Sequence, residues 1–489
     1  MGHAGLERLR GAVRGAVLAP QDAGYDEERT GFQRSAGHRP DVIVAARTAQ
    51  DVREAVGYAR TCGLPVAVQA TGHGQGAAMR GGVLVSTRHL TGIEIDSEAG
   101  TAWVEAGVRA GDLVAEAARY GLAPVNGSAP GVGVVSYTLG GGVGLLGRRF
   151  GYAADQVRRI EIVTGDAGAP LRDVTADSEP GLFAALRGGG GGWGVVTGME
   201  IGLVPVERIF GGRLVFDGGE VAEELVRLWQ KWTQTVPDEL TSAVTLLPMP
   251  DLPGVPAPLR GRYLAQVHIA FAGTRADGEQ WVEPLRALGS LLVDELREMP
   301  YTECASVFSE PDTPHGYRSA NLLLPPGGLG DEALRSVLAA GGPDADVMCV
   351  LSMRHLGGAL SRPPAAPDCV AHREAGYLLY ALSPVTARGR DAGASAGTED
   401  PDGGAEGAGG DAEVVRAHAR VLAPAAGAMV GRSANFLYGP QSRDVARSAY
   451  PTQAADRLER LSEQYDPEGL FRFSLWSTAR DSKKNPSDA

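Results

Sequence analysis

The chain has 489 residues, enough for more than one domain and a large core. Its 46 Lys and Arg against 59 Asp and Glu give a net charge of −13, which excludes a general nucleic-acid or anionic-membrane binder. Cys62, Cys304, Cys349 and Cys369 show neither CxxC nor metal-ligand spacing, and no apolar run reaches ~18 residues. The start, MGHAGLERLRGAV, lacks a long apolar segment. A soluble, reduced, cytoplasmic protein is therefore expected, with no metal and no disulfide framework.

In chain order, Leu6 to Leu18 predicts a short amphipathic helix, and Arg39-Pro40 opens a strand, Asp41 to Ala45. Thr48 precedes a helical pattern, with Asp51 three residues later as a variant capping box and Gly63 as its end. Strands Val66–Val68, Val83–Ser86, Ile93–Asp96 and Thr101–Ala106 follow, then a helix Ala110–Tyr120 ending at Gly121. Strands are also expected at Ile160–Thr164 and Met199–Val204. After Pro205 a helix carries Trp229 and Trp232, and Leu264–Phe271 reads as a strand. Residues 386–412, rich in Gly, Ala and Asp, read as an exposed flexible insertion. Helices from Glu413 and over Ala454–Gln464 lead into YDPEGLFRFS, Tyr465 to Ser474.

Glycine supplies 69 of the 489 residues, about twice its usual ~7% share, and much of the excess lies in three loops. The first, PVAVQATGHGQG, runs from a β-branched segment into glycines 72, 74 and 76 around His73. The second is Asn126 to Gly151 and the third Leu186 to Gly198. None is a dinucleotide fingerprint; Gly131-Val-Gly133-Val-Val-Ser136 is a broken GxGxxG. One such loop alone is turn chemistry. Three, each beside β-branched segments, point to main-chain amides gripping an extended phosphate-bearing cofactor. His73 alone reads as a structural histidine, and within the loop as a cofactor neighbour.

Arg354-His355 and His372-Arg373 are open to catalytic or structural readings. Tyr377 and Tyr380 share an apolar strand whose alternation sends them to opposite faces or edges, with core packing as the default. Trp193, after five glycines, reads as packing that closes its loop.

Together, RPDVIVAARTAQDVREAVGYAR, PVAVQATGHGQG, TLGGGVGLLGRRFGYAADQV, LRGGGGGWGVVTG, RHLGGAL and YDPEGLFRFS resemble the berberine bridge enzyme-like branch of the vanillyl-alcohol-oxidase flavoprotein superfamily. The resemblance runs nearly end to end. It implies an α+β fold: a bipartite PCMH-type FAD-binding domain, residues 1–205 plus 425–489, and a substrate domain, 206–424, with an antiparallel sheet backed by helices. It also implies an 8α-histidyl bond from His73 to FAD, cradled by Ala70, Thr71, Gly72 and Gly74. Ser128, Pro130, Val132, Gly133, Thr138, Gly141 and Gly142 would line the flavin from the second loop, Gly194 and Val196 from the third. Phe471 to Ser474 would return beside the isoalloxazine.

Two departures matter. Many relatives carry a second linking cysteine where this chain has Ala129, so a single covalent attachment is expected. Many bacterial relatives carry a catalytic YxN tyrosine where this chain has Ser433-Ala434-Asn435, which leaves Tyr377, Tyr380 or Tyr438 as the base, with Asn435 beside it, or a reaction needing none. Val132 resembles the oxygen-permissive form of the family.

The reading is an FAD-dependent oxidase. A hydride passes from a C–H of a bulky secondary metabolite, an alcohol or amine, to flavin N5, and O2 regenerates FAD with release of H2O2. Its rivals are a flavin-dependent oxygenase, a redox-neutral cyclase and a drug-sequestering resistance protein. Its partners are the small-molecule substrate and O2; the sequence sets no oligomeric state.

Overall fold

The computed structural model describes residues 3–385 and 407–473. Three sheets carry it. The first has the order β1-β2-β4-β3, with β1 Ala16–Leu18, β2 Val42–Ala45, β3 Val66–Gln69 and β4 Val83–Ser86; β1 is antiparallel and the others parallel. The helix Ala49–Cys62 makes the crossover between β2 and β3 and buries Val52, Ala55, Val56 and Ala59. Its ends follow the sequence signals: Thr48 Oγ1 accepts from Asp51 N at 3.2 Å, and Gly63 closes it at φ 65°.

The second sheet, antiparallel, is β5 Ile93–Asp96, β6 Thr101–Glu105, β9 Gly194–Gly202, β7 Val157–Thr164 and β8 Leu171–Val174 in that order. The Ala49–Cys62 helix lies between these two sheets and shares their core.

The third sheet is antiparallel, in the order β13-β10-β12-β11-β16-β17-β15, with β14 paired to β10. Its strands are β10 Arg208–Asp217, β11 Leu240–Pro248, β12 Tyr263–Phe271, β13 Leu291–Asp294, β14 Arg297–Pro300, β15 Tyr317–Leu324, β16 Val350–His355 and β17 Tyr377–Pro384. One face is apolar: Val244, Leu246, Val267, Leu351, Met353 and Leu379 pack on the helices Gly218–Thr233, Asp331–Gly341 and Gly407–Leu422. Trp229 and Trp232 anchor that helix layer. The alternate residues, including Thr245, His268, Arg354 and Tyr380, face a cavity.

The C-terminal helix Thr452–Tyr465 leaves the third sheet and packs into the core of the first two, with Ala455, Leu458, Leu470 and Phe471 buried there. Asp466 fixes the return by accepting from Leu470 N at 2.7 Å and Phe471 N at 3.1 Å, while Val66 N donates to Leu470 O at 2.8 Å. Trp193 is fully buried and its indole donates to Leu458 O, so it closes the third loop against this helix.

Two boundaries differ from expectation. The first helix spans only His3–Ala12, and the chain then forms β1. The buried Asp51 carboxylate accepts from Arg14 N at 2.9 Å and Gly15 N at 3.0 Å, which turns the chain out of the helix. The predicted insertion 386–412 lies largely outside the described residues, but a helix begins at Gly407, and Arg318 pairs with Asp411 in its early turns.

The same Asp51 carboxylate also accepts from Arg47 N and the Thr48 hydroxyl, both at 2.9 Å, and these bonds hold its pKa below the usual range against the opposing effect of burial. Asp51→Ala should lower unfolding free energy by about 3 kcal/mol in urea titration at pH 7. Because the folded-state value is depressed, this contribution is present above the unfolded aspartate range, ~3.9, and is lost as pH falls through the folded value. The difference between the two proteins should shrink there, and equal urea midpoints at pH 7 would refute the assignment.

Candidate active site

The first loop is built so that its carbonyls face away from the cavity. Phe32 N and Gln33 N take the carbonyls of Thr71 (2.9 Å) and Gly72 (3.1 Å), and the Tyr317 hydroxyl donates to the carbonyl of His73 at 2.6 Å. The main-chain N–H groups of Thr71, Gly72, His73 and Gly74 find no acceptor among the described residues, and all four residues line the cavity. Gly72 allows this approach: its φ is +73°, and a Cβ there would sit 2.6 Å from Gly31 Cα. Free amides in such an arc suit a phosphate oxyanion.

The His73 ring stacks on Phe32 at 4.0 Å between centroids, and its Nδ1 lies 2.9 Å from Thr71 Oγ1. Burial, helped by Arg109 and His315, pulls its pKa down to about 4, so the imidazole is neutral at pH 7.

The other two loops close on the same space. The cavity, about 1050 Å³, exceeds the size typical for one drug-sized ligand, ~300–1,000 Å³. Ala70, Ser128, Val132, Gly133, Thr138, Gly194, Val196 and Phe471 all line it, and Gly133 approaches Thr71 directly. Ser474 lies outside the described residues.

Three predicted lining residues are not on the wall. Pro130 accepts from Gly111 N at 2.9 Å, and the carbonyls of Gly141 and Gly142 take Ala154 N and Ala153 N. These residues shape the loop rather than face the cavity.

At the other end the third sheet supplies side chains. Arg354 is 7% exposed, its central carbon 4.5 Å from the Phe308 ring and 5.3 Å from Phe436. Its Nη2 donates to Ser128 Oγ at 3.3 Å, and the Ser128 hydroxyl donates to Glu310 Oε1 at 2.6 Å. Tyr380 and Tyr438 stand beside this group. Desolvation, with Tyr317, Glu310 and Tyr380 nearby, raises the pKa of Tyr438 far enough to keep it protonated. His268 stacks on Phe308 at 4.1 Å, and burial pulls its pKa down to about 3.

The structure takes one catalytic candidate off the cavity and gives another a second set of partners. Tyr377 lies on the helix-facing side of β17, its hydroxyl bonded to Thr233 (2.6 Å) and Gln234 (2.8 Å), away from the cavity; strand alternation separates it from Tyr380. Asn435 does border the cavity, but both ends of its amide hold the second loop: Oδ1 accepts from Gly142 N at 3.1 Å and Nδ2 donates to Tyr137 O at 2.9 Å. Tyr317, Phe32, Phe308 and Glu310 belong to the site and were not foreseen; only their aromatic or acidic character hinted at it.

Ala129, at the position where the sequence resemblance implies a second linking cysteine in many relatives, lines the cavity. Cys304 lies in space near that loop, 3.7 Å from Asn126 Nδ2, but it sits in a separate apolar cluster and burial pushes its thiol up to about 11. Among the described residues no group of His, Cys, Asp and Glu could hold a metal, and no helix is long and apolar enough to cross a membrane.

If Asn435 staples the loop, Asn435→Ala should cost about 2 kcal/mol in denaturant unfolding. Asn435→Asp, which keeps an acceptor for Gly142 but sets a carboxylate oxygen against the Tyr137 carbonyl, should cost at least as much. Wild-type stability in the alanine variant would refute the staple.

Comparison with known proteins agrees with this geometry. Residues 40–173 match the FAD binding domain family. The chain is 26% identical to the uncharacterized FAD-linked oxidoreductase YgaK of Bacillus subtilis, over 94% of this chain and 96% of that one. It is 28% identical to berberine bridge enzyme-like C-1 of Nicotiana tabacum, over 60% and 54%. In fold it is similar to the glucooligosaccharide oxidase of Acremonium strictum, a protein with a 6-S-cysteinyl, 8α-N1-histidyl FAD, at a TM-score of 0.77 and 18% identity over 96% and 98% of the chains. The free amides of the first loop fit the diphosphate that such a cofactor carries. The chain thus carries an FAD-binding domain on the fold of FAD-dependent oxidases, and the proteins it resembles include FAD-linked oxidoreductases and berberine bridge enzyme-like proteins.

Proposed function

We propose that this protein is a cytoplasmic oxidase that tailors a bulky secondary metabolite, an alcohol or amine, with FAD held by one covalent bond to His73. The observation that carries the reading is the continuity of one cavity from the free amides of the first loop to the side chains around Tyr380. When bound, FAD supplies the hydride acceptor, and O2 returns it to the oxidised form with release of H2O2.

In this reading residues 1–205 with 425–489 form the FAD-binding unit and 206–424 the substrate unit. The two largest core clusters support that division, one joining residues 9–203 to 437–471 with Cys369 added and another formed within 210–425. Thr71 to Gly74 bind the diphosphate through main-chain N–H groups. His73 is neutral, stacked and held by Thr71, as a ring that forms a bond to carbon must be. Val132 borders the space where oxygen arrives. Tyr380 takes the hydroxyl or amine proton of the substrate, since Tyr377 faces the helices and the Arg354 guanidinium stands beside Tyr380 to stabilise negative charge there. The protonated Tyr438 orients the substrate by donating to it.

Acid precipitation tests the tether: a yellow pellet from the wild type and a colourless one from His73→Ala are expected, and a colourless wild-type pellet would refute it. Tyr380→Phe should slow substrate-dependent flavin bleaching by about 10²–10⁴-fold with little change in KM. An undiminished rate would remove Tyr380 from this role. Substrate-dependent H2O2 release is expected, whereas label from O2 in the product would identify an oxygenase and ligand binding without bleaching a sequestering protein.

A further inference from the structure

The polar end of the cavity holds a cation whose hydrogen-bonding capacity is mostly unused. Arg354 has five N–H donors in a planar fork. One meets Ser128 Oγ at 3.3 Å, the Tyr380 hydroxyl engages a second, and Nε is buried with no partner. The neighbouring carboxylate does not close the gap. Glu310 Oε1 is 3.7 Å from Nη2, beyond hydrogen-bond length, and accepts the Ser128 hydroxyl instead.

Rings of Phe308 and Phe436 fix the guanidinium by cation–π contact and add no acceptor. A buried charge satisfied so incompletely is costly in the empty site, and an arriving oxyanion with two oxygens would remove that cost.

The outer wall has the opposite character. Leu247, Met249, Pro256, Leu259, Met348 and Leu382 line it, with Met348 42% exposed. A sugar chain would leave its hydroxyls unpaired along such a surface, whereas fused or aromatic rings would cover it.

We propose that Arg354 is the receptor for an oxyanion, a carboxylate or enolate, on an otherwise apolar ring-bearing substrate, with Glu310 as the internal counter-ion that the ligand displaces. This rests on the reading of the cavity as the substrate site, and it selects organic acids within the class of bulky metabolites. Arg354 thus determines specificity rather than performing the redox step.

Titration calorimetry on the FAD-loaded protein at pH 7.5 tests this with two probes of the same shape, 2-naphthoate and the neutral 2-naphthamide. The naphthoate should bind about ten-fold more tightly, the ratio expected when one charge-assisted hydrogen-bond pair is gained. Arg354→Gln should bring the two affinities together while retaining naphthamide binding. Glu310→Gln, which removes the competing carboxylate, should tighten naphthoate several-fold and leave naphthamide unchanged; a merely structural arginine would not move that ratio.

Equal affinities in the wild type, failure of both probes to bind, or no response of the ratio to Glu310→Gln would overturn the proposal, the last holding even if Arg354→Gln fails to fold. Equal affinities would leave the oxidase reading intact. A missing H2O2 signal would sink that reading without touching the anion preference.

Discussion

Everything at the cofactor end depends on which way the peptide groups of residues 71–74 point. A glycine loop can present either carbonyls or amides to a cavity, and only amides attract a diphosphate. The choice is made by three donors from elsewhere: Phe32 N, Gln33 N and the Tyr317 hydroxyl take the three successive carbonyls. Gln33 then binds the backbone of Tyr317 through both ends of its amide, Nε2 to O at 2.6 Å and N to Oε1 at 3.3 Å. One seam therefore orients the first loop, stacks Phe32 on His73 and locks both to the first strand residue of β15. The cofactor end and the substrate sheet cannot shift independently without breaking it.

The third sheet divides its labour by alternation. On β17, Tyr377, Leu379 and Ala381 belong to the helix-backed core, while Tyr380 and Leu382 face the cavity. The register carries this across strands: Tyr380 pairs with Ser352 on β16, and Ser352 in turn with Thr245 on β11. Thr245 is bonded to Ser352 and to His268, both at 3.1 Å, so the cavity face of the sheet is a hydrogen-bonded polar surface laid on an apolar one. Burial of His268 keeps it neutral, which leaves Arg354 and Glu310 to set the local charge.

This division also explains what could be read in the sequence. The first loop, the Thr48 cap, the Gly63 stop and the separation of Tyr377 from Tyr380 are local patterns, and local patterns survive folding. The seam residues are not local: Gln33 meets Tyr317 across 284 positions and Ser128 meets Glu310 across 182. No periodicity marks a glutamine or glutamate whose partner is that distant. Asn435 illustrates a subtler limit. Its identity suggested polar chemistry, and the chemistry is present, but the groups it satisfies are the backbone of the second loop. Arg354 was visible as a polar residue in a strand, yet its significance comes from the rings and the carboxylate that three other segments bring to it.

The same reasoning bears on the number of links to the cofactor. Spacing along the chain suggested that no cysteine could replace the one absent at Ala129, whereas folding brings Cys304 close to Asn126. Proximity is not access. Cys304 is enclosed with Met299, Tyr301 and Val307, off the cavity wall, and its thiol is held protonated by burial, so it offers neither a path nor a thiolate. His73 has both the opening to the cavity and an unprotonated ring. The different burial of these two nucleophiles therefore supports the proposed single attachment through the histidine, beyond what the alanine at position 129 alone argues.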